Sequence, residues 1–289
     1  MSQSLIQKAQ YLKWAGTKAL GAADQVCPGC QSPATVLVRR KYLVTSLWEC
    51  NACGLNFRMP KDDPAASRAF YQREYSQGFT TDCPSGDALK AMLATNFAGS
   101  GRNYEPYIQV LAALGLAKGD SILDFGASWG YGSWQLRRAG FNVTSYEISK
   151  PRAEYARTKL GCSLIENLDE LPGKVKCFFS SHVIEHLPNP SLIWELGQKV
   201  LSDDGFIVCF CPNGDPASES AWGPGGYDRI WGKVHPMLIT SRYFQSMSAR
   251  HGFRASIFSS PYRLDAVAGG APGDNPPGIE LCLVARRAQ

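Results

Sequence analysis

Ser121-Ile-Leu-Asp-Phe-Gly-Ala-Ser-Trp-Gly-Tyr-Gly132 is an apolar run that reaches an acid and then breaks into a glycine-rich turn. The run reads as a β-strand over Ser121–Phe125, and the glycines that follow mark a tight turn into a helix near Ser133–Ala139. Glycines in such a turn let the backbone approach a ligand, and the free N–H groups of the helix start favour a negative group. About twenty residues on, a second strand, Val143–Glu147, ends in an acid whose carboxylate can accept both hydroxyls of a ribose. A dinucleotide dehydrogenase shares this much, so the turn alone defines a nucleotide site without its chemistry.

Helix and strand patterns alternate from about Asn103. A helix around Glu105–Leu114 precedes the first strand. Beyond Glu147 come a helix at Pro151–Leu160, a short strand at Ser163–Glu166 and a strand at Cys177–Ser181. A helix at Pro190–Val200 and a strand at Gly205–Cys211 follow. Strands separated by helical stretches of 10–15 residues mean βαβ units and a parallel sheet. The tail, Phe253–Ser259 and Glu280–Ala285 around a Gly/Pro-rich loop, reads as a closing hairpin, an antiparallel edge on a parallel sheet. The fold class is therefore α/β, doubly wound and mostly parallel.

Four motifs in order give residues 100–289 a family likeness. ILDFGASWG, the acid Glu147, SSHVIEHLPNP and VLSDDGFIVCFCPN together resemble the class I S-adenosylmethionine (SAM) dependent methyltransferases. The resemblance implies a seven-stranded, Rossmann-like sheet. It places Asp124, Gly126, Ala127, Ser128 and Gly130 around the methionine part of SAM, with Glu147 on the ribose, and extends the cofactor site to Ile148, Asn167 and Ser181. The usual central glycine of the first motif is Ser128 here, a residue small enough to leave binding intact, with a hydroxyl that can meet the SAM carboxylate.

The front of the chain is of another kind. Cys27-Pro-Gly-Cys30 and Cys50-Asn-Ala-Cys53 are separated by 19 residues. Two C-x-x-C knuckles at this spacing present four thiolates tetrahedrally to one Zn²⁺, with Val36–Trp48 as the intervening hairpin. Four protein ligands close the site, so the zinc is expected to be structural. The ribbon, followed by CGLNFRMP and FYQREYSQGF, looks like a methyltransferase subgroup acting on nucleotide-linked sugars, and in that likeness Tyr71 and Tyr75 lie on a segment covering SAM. The organisation expected is an N-terminal helix and ribbon over 1–60, a connecting, SAM-covering helical segment over 61–102, and a methyltransferase domain over 103–289 with an acceptor lid near 214–236.

Residues 1–60 carry seven Lys/Arg against two acids, which equals the whole net charge of +5. That basic front end suits a solvated surface or a phosphorylated partner. Six further cysteines are scattered, three of them (Cys177, Cys209, Cys211) in apolar strands, a usage that fits a reducing compartment. No stretch approaches a membrane span and the first residues lack a signal peptide's apolar core, so the expected location is cytoplasmic, with no membrane partner.

The catalytic candidates are histidines. His182, Glu185 and His186 follow the fourth strand at the carboxyl edge, where open α/β sheets bind ligands. One reading makes His186 a general base oriented by Glu185, resembling the role proposed in sugar C-methyltransferases. A second gives His182, Glu185 and His186 a divalent metal, as a similar patch does in ubiquinone-pathway O-methyltransferases. A third leaves the pair structural. His235, at the end of the aromatic-rich stretch AWGPGGYDRIWGKVHP, is a second candidate base, and Tyr227, Asp228, Arg229 and Trp231 of that stretch are candidate acceptor contacts. The expected activity is methyl transfer to a hydroxyl or carbon of a small molecule, a sugar first. An RNA methyltransferase holding RNA on its basic ribbon and a non-catalytic SAM-fold binder are the alternatives.

Overall fold

The computed structural model describes residues 25–41, 44–61, 82–232, 235–270 and 277–288, together with Leu12. Tyr71, Tyr75 and the N-terminal helix expected before Asp24 lie outside the described residues. Two sheets organise the rest. The larger has seven strands in the order β10-β11-β8-β7-β4-β5-β6. Its members are β4 (Ser121–Phe125), β5 (Asn142–Tyr146), β6 (Ser163–Ile165), β7 (Val175–Ser181), β8 (Leu201–Pro212), β10 (Phe253–Ser259) and β11 (Glu280–Arg287). The strands β4 to β8 run parallel, β11 pairs antiparallel with β8, and β10 closes the edge as the expected hairpin. This is the doubly wound, Rossmann-like architecture read from the sequence.

Both faces of that sheet are covered, which is why its strands are apolar almost throughout. Leu123, Phe125, Phe178, Ile207 and Cys209 point to one face. Ile122, Cys177, Phe179, Phe206 and Val208 point to the other. The period of two along β4 places Asp124 among the second set and fully buries it. The chain goes from β4 out to β5 and β6, then returns to β7 on the opposite side. The switch point therefore lies between β4 and β7, where a crevice opens at the carboxyl edge.

The smaller sheet is antiparallel, in the order β1 (Thr35–Lys41), β2 (Thr45–Cys50), β3 (Asn56–Met59) and β9 (Met237–Leu238). Its fourth strand comes from the far end of the chain. Phe57 pairs with Met237 and Asn56 with Leu238, and the Arg58 amide donates to the Pro236 carbonyl at 2.8 Å. Cys27, Cys50, Cys53, Leu55 and Phe57 share one core cluster with Ile184, Trp194 and Tyr243 of the larger unit. Each large side chain buried this way stabilises by about 1.5–3 kcal/mol. The ribbon is thus welded to the sheet rather than tethered to it. Among the described residues, no helix is long and apolar enough to cross a membrane.

Candidate active site

The turn after β4 is held by the end of β5. The amides of Gly126 and Ala127 both donate to the Tyr146 carbonyl, at 2.8 and 3.0 Å. Glu147 then reaches back: one carboxylate oxygen accepts from the Ser128 amide at 2.8 Å and the other from the Ser149 amide at 2.7 Å. Burial raises its pKa against the pull of these amides and of Arg152. Each oxygen keeps a second lone pair for a ribose hydroxyl, so the expected ligand group also braces the turn. Gly126 and Gly130 sit at φ +86° and +88°. A Cβ on Gly126 would lie 2.3 Å from the Val183 methyl, and one on Gly130 would lie 2.7 Å from Ala156. The turn therefore needs glycine at both points for close approach as well as for conformation.

Ser128 shows what the departure from glycine costs. Its φ is +51°, in the left-handed region, and its hydroxyl is buried with no hydrogen-bond partner. An orphaned hydroxyl in this turn fits a ligand group such as the SAM carboxylate. Ile148 is 40% exposed, an apolar face at the sheet edge beside Glu147 and suited to an adenine ring. Asn167 is exposed and caps the short turn Leu168–Glu170, its side chain accepting from the Asp169 amide at 3.1 Å. Ser181 is half-buried at the end of β7. Asp124 is 2% exposed, accepts from the Ser133 hydroxyl at 2.5 Å, and has its pKa pushed up to about 6 by burial.

The loop after β7 carries the histidines. His182 adopts φ +55°, which turns Val183 over Gly126 and drops Ile184–His186 into a single 3₁₀ turn. Glu185 is 1% exposed and neither of its oxygens accepts a hydrogen bond. Burial pushes its pKa up, but His182, 3.4 Å from Oε1, together with His186 and His235, outweighs burial and holds it at about 2. The His186 Nε2 lies 3.9 Å from the same oxygen. His235 arrives from the distant loop before β9, its ring 4.7 Å from that of His186. Burial and the neighbouring His186 lower its pKa to about 4.

The structure therefore groups Glu185, His186 and His235, one donor atom of each lying within 4.8 Å of the others. His182 stays outside this group, bridging Glu185, 3.4 Å from its Nδ1, and Glu280. Its Nε2 donates to Glu280 at 2.7 Å, and the Tyr107 and Tyr262 hydroxyls donate to the same carboxylate at 2.8 and 2.6 Å. Despite some burial, the pull of Glu185 and Glu280 raises its pKa to about 10. Glu280 was missed in the sequence because it opens the last strand, far from any motif. Its only local signal is an acid at the mouth of an otherwise apolar strand.

The aromatic stretch expected to cover an acceptor makes its contacts with the ribbon. Tyr227 is buried and its hydroxyl donates to the Gly214 carbonyl at 2.6 Å. Trp231 is buried with Leu47 of β2. Arg39 pairs with Asp228 and Glu219, and the Lys41 ammonium donates to the carbonyls of Asp228 and Trp231 at 2.7 and 3.0 Å. Tyr227, Asp228 and Trp231 thus serve the ribbon contact. The charges of Arg39 and Lys41, part of the basic front end, are spent there as well.

In the ribbon, the Cys27 and Cys53 sulfurs lie 3.6 Å apart and those of Cys30 and Cys50 lie 3.5 Å apart. All four fall within 4.8 Å of one another. A regular ZnS₄ tetrahedron with Zn–S near ~2.3 Å has sulfurs about 3.8 Å apart, so the four thiols fit one zinc ion. Cys162, Cys177, Cys209, Cys211 and Cys282 are buried free thiols.

A strand-turn-helix cradle at the switch point of this sheet defines a nucleotide-binding class that dinucleotide and SAM enzymes share, and the family comparison separates the two. The profile of the methyltransferase domain family matches residues 99–256. Among solved structures, the plantazolicin methyltransferase BpumL in complex with SAH matches with a TM-score of 0.52 at 15% identity, covering 77% of this chain and 95% of that one. The plantazolicin methyltransferase BamL, in complex with a triazolic desmethylPZN analog and SAH, matches at 0.51 with 14% identity, covering 78% and 96%. No curated protein sequence matches the chain. The chain belongs to the methyltransferase domain family.

Proposed function

We propose that the protein transfers a methyl group from SAM to a hydroxyl or carbon of a small molecule, with a nucleotide-linked sugar as the first acceptor class to test. The observation that carries the SAM assignment is the cradle: Glu147 clamping the turn, with the unpartnered Ser128 hydroxyl inside it. Asp124, Gly126, Ala127, Gly130, Ile148, Asn167 and Ser181 complete the cofactor site in this reading, with Tyr71 and Tyr75 as its cover. SAM supplies an activated methyl. The chain's own contribution is to align acceptor and methyl, exclude water and lower the cost of removing the acceptor's proton.

Glu185, His186 and His235 are the groups placed to meet the acceptor. They follow Val183, which packs over Gly126 of the cradle, and gather a carboxylate and two imidazoles. The four cysteines hold a structural zinc. The ribbon then acts as scaffold for the His235 loop, a role favoured over RNA contact because Arg39 and Lys41 are engaged internally. The test is a mass-spectrometric screen of nucleotide sugars with isotope-labelled SAM. A labelled sugar product is expected. Labelling of RNA with a steep salt dependence, and of no sugar, would replace this reading.

A further inference from the structure

Glu185 is a carboxylate buried to 1% exposure with no hydrogen bond to either oxygen. A buried ion left so is costly unless a counter-charge is directly on it. The nearest imidazole nitrogens, 3.4 Å away on His182 and 3.9 Å away on His186, stand too far off to donate well. Donors spaced wider than a hydrogen bond are what a shared cation leaves room for, because each metal–ligand bond spans about 2.0–2.2 Å.

We propose that Glu185, His186 and His235 bind a first-row divalent cation, Zn²⁺ being the best match, in a three-ligand site separate from the four-cysteine centre. The donor set is the first argument, since two imidazoles and one carboxylate suit a transition metal rather than Mg²⁺ or Ca²⁺. Orientation is the second. The His235 Nδ1 lies 3.0 Å from the Ile230 carbonyl and donates to it, which leaves the lone pair of Nε2 for a ligand. A ring nitrogen tied to a backbone carbonyl is the usual support of a metal-binding histidine. His182, the third member expected from the sequence spacing, has its Nε2 engaged by Glu280 and lies outside the donor group. Its place is taken by His235, fifty residues further along.

Three protein ligands leave the cation a further coordination position, which an acceptor hydroxyl could take and where it would be polarised. That role rests on the methyltransferase reading above. Cation binding itself does not.

The experiment uses full-length protein with one equivalent of zinc already in the ribbon, titrated with Co²⁺ under calorimetric and optical readout. A second equivalent is expected, with visible d–d bands and without the near-ultraviolet thiolate charge transfer that marks entry into the cysteine site. Glu185→Gln and His235→Ala should each weaken that equivalent by about 100-fold or more. His182→Ala should keep it. Should Glu185→Gln fail to fold, His235→Ala decides alone, as its loop side chain is only half-buried. The absence of a second equivalent, or unchanged binding in His235→Ala, overturns the site. SAM titration of the same samples separates the two readings. SAM binding without the second cation removes this proposal alone, and cation binding without SAM removes the functional reading.

Discussion

The turn after β4 and the loop after β7 lie side by side at the carboxyl edge, yet one is cut from a single stretch of chain and the other is assembled from distant ones. Between Ser121 and Ser149 the cradle contains its strand, its turn, its helix start and its bracing acid, and the hydrogen bonds from Gly126, Ala127 and Ser128 to Tyr146 and Glu147 that brace the turn span about twenty residues or fewer. The acceptor side joins Glu185 and His186 to His235, and His182 to Glu280 and Tyr107. His235 is delivered by the loop before β9, which is pinned to β3 of the ribbon. The cofactor half is local and self-supporting, whereas the acceptor half depends on tertiary structure, much of it the ribbon's.

The largest expected effect tests that dependence. Cys27→Ser, or removal of the ribbon zinc by a chelator, should cost at least about 5 kcal/mol, because structural zinc binding is coupled to the folding of its module. Melting should fall by more than about 10 °C in a chain of this size. Elemental analysis of wild type should find zinc at the ribbon. Below the lowered transition, proteolysis should open the 214–236 loop while SAM affinity changes by less than about twofold. SAM affinity falling in step with loop protection would mean that the two halves are one cooperative unit.

Asp124 tests the cofactor half from inside. Its carboxyl sits at about 6 instead of the ordinary 3.8, chiefly through burial, with the Ser133 hydrogen bond opposing and Glu147 adding to the rise. The folded state thus holds this proton more tightly than the unfolded chain does. The charge therefore costs stability that is lost as pH rises from about 4 to 6, and the cost is complete above 6. Asp124→Asn should stabilise the fold at pH 8 by up to about 3 kcal/mol and hardly at all at pH 4. Urea melts at both pH values measure it. Destabilisation at pH 8 would mean that the charge has partners strong enough to offset its burial.

Glu147 comes next. Glu147→Ala removes a carboxylate from the ribose and a clamp from two amides, and SAM affinity should weaken by about 1.5–3 kcal/mol. Glu147→Gln retains one acceptor oxygen for the amides but not the charge, so it should fall between the two. Calorimetry giving wild-type affinity in the alanine variant would remove Glu147 from the site.

The same contrast explains what could be read in advance. The order and type of the sheet strands were legible because both faces are covered and each strand is an apolar run bounded by turn residues. The ribbon was legible because four thiols at knuckle spacing have few other uses. Three things were hidden. Met237–Leu238 is too short to show a period, so nothing local says that it completes the ribbon sheet. The three-residue spacing from His182 to Glu185 suggested one shared face. At its positive φ, His182 keeps Nδ1 3.4 Å from Glu185 but also sets Nε2 against Glu280, a partner 98 residues away, and stays out of the group formed with His235. The packing of the aromatic stretch 221–231 on the ribbon was also hidden, because its counter-surface, on Arg39, Lys41 and Leu47, is nearly two hundred residues upstream.

The smallest expected effect is the most diagnostic for the cradle. Ser128 carries two local costs, a left-handed backbone at φ +51° and a buried hydroxyl with no partner, and glycine would relieve both. Ser128→Gly should therefore stabilise the SAM-free protein by about 1 kcal/mol, roughly 2–4 °C in melting temperature. The amide that donates to Glu147 is untouched, so the clamp survives the change. If the hydroxyl serves the cofactor, the same variant should bind SAM more weakly by about 1 kcal/mol, a single hydrogen bond's net worth, or about fivefold. Stability and affinity then move in opposite directions, as they should at a site that keeps strain for its ligand. Melting and calorimetry on one preparation suffice. Greater stability with unchanged affinity would leave the hydroxyl without a ligand, and the cradle would then owe its grip on SAM to Glu147 and the backbone alone.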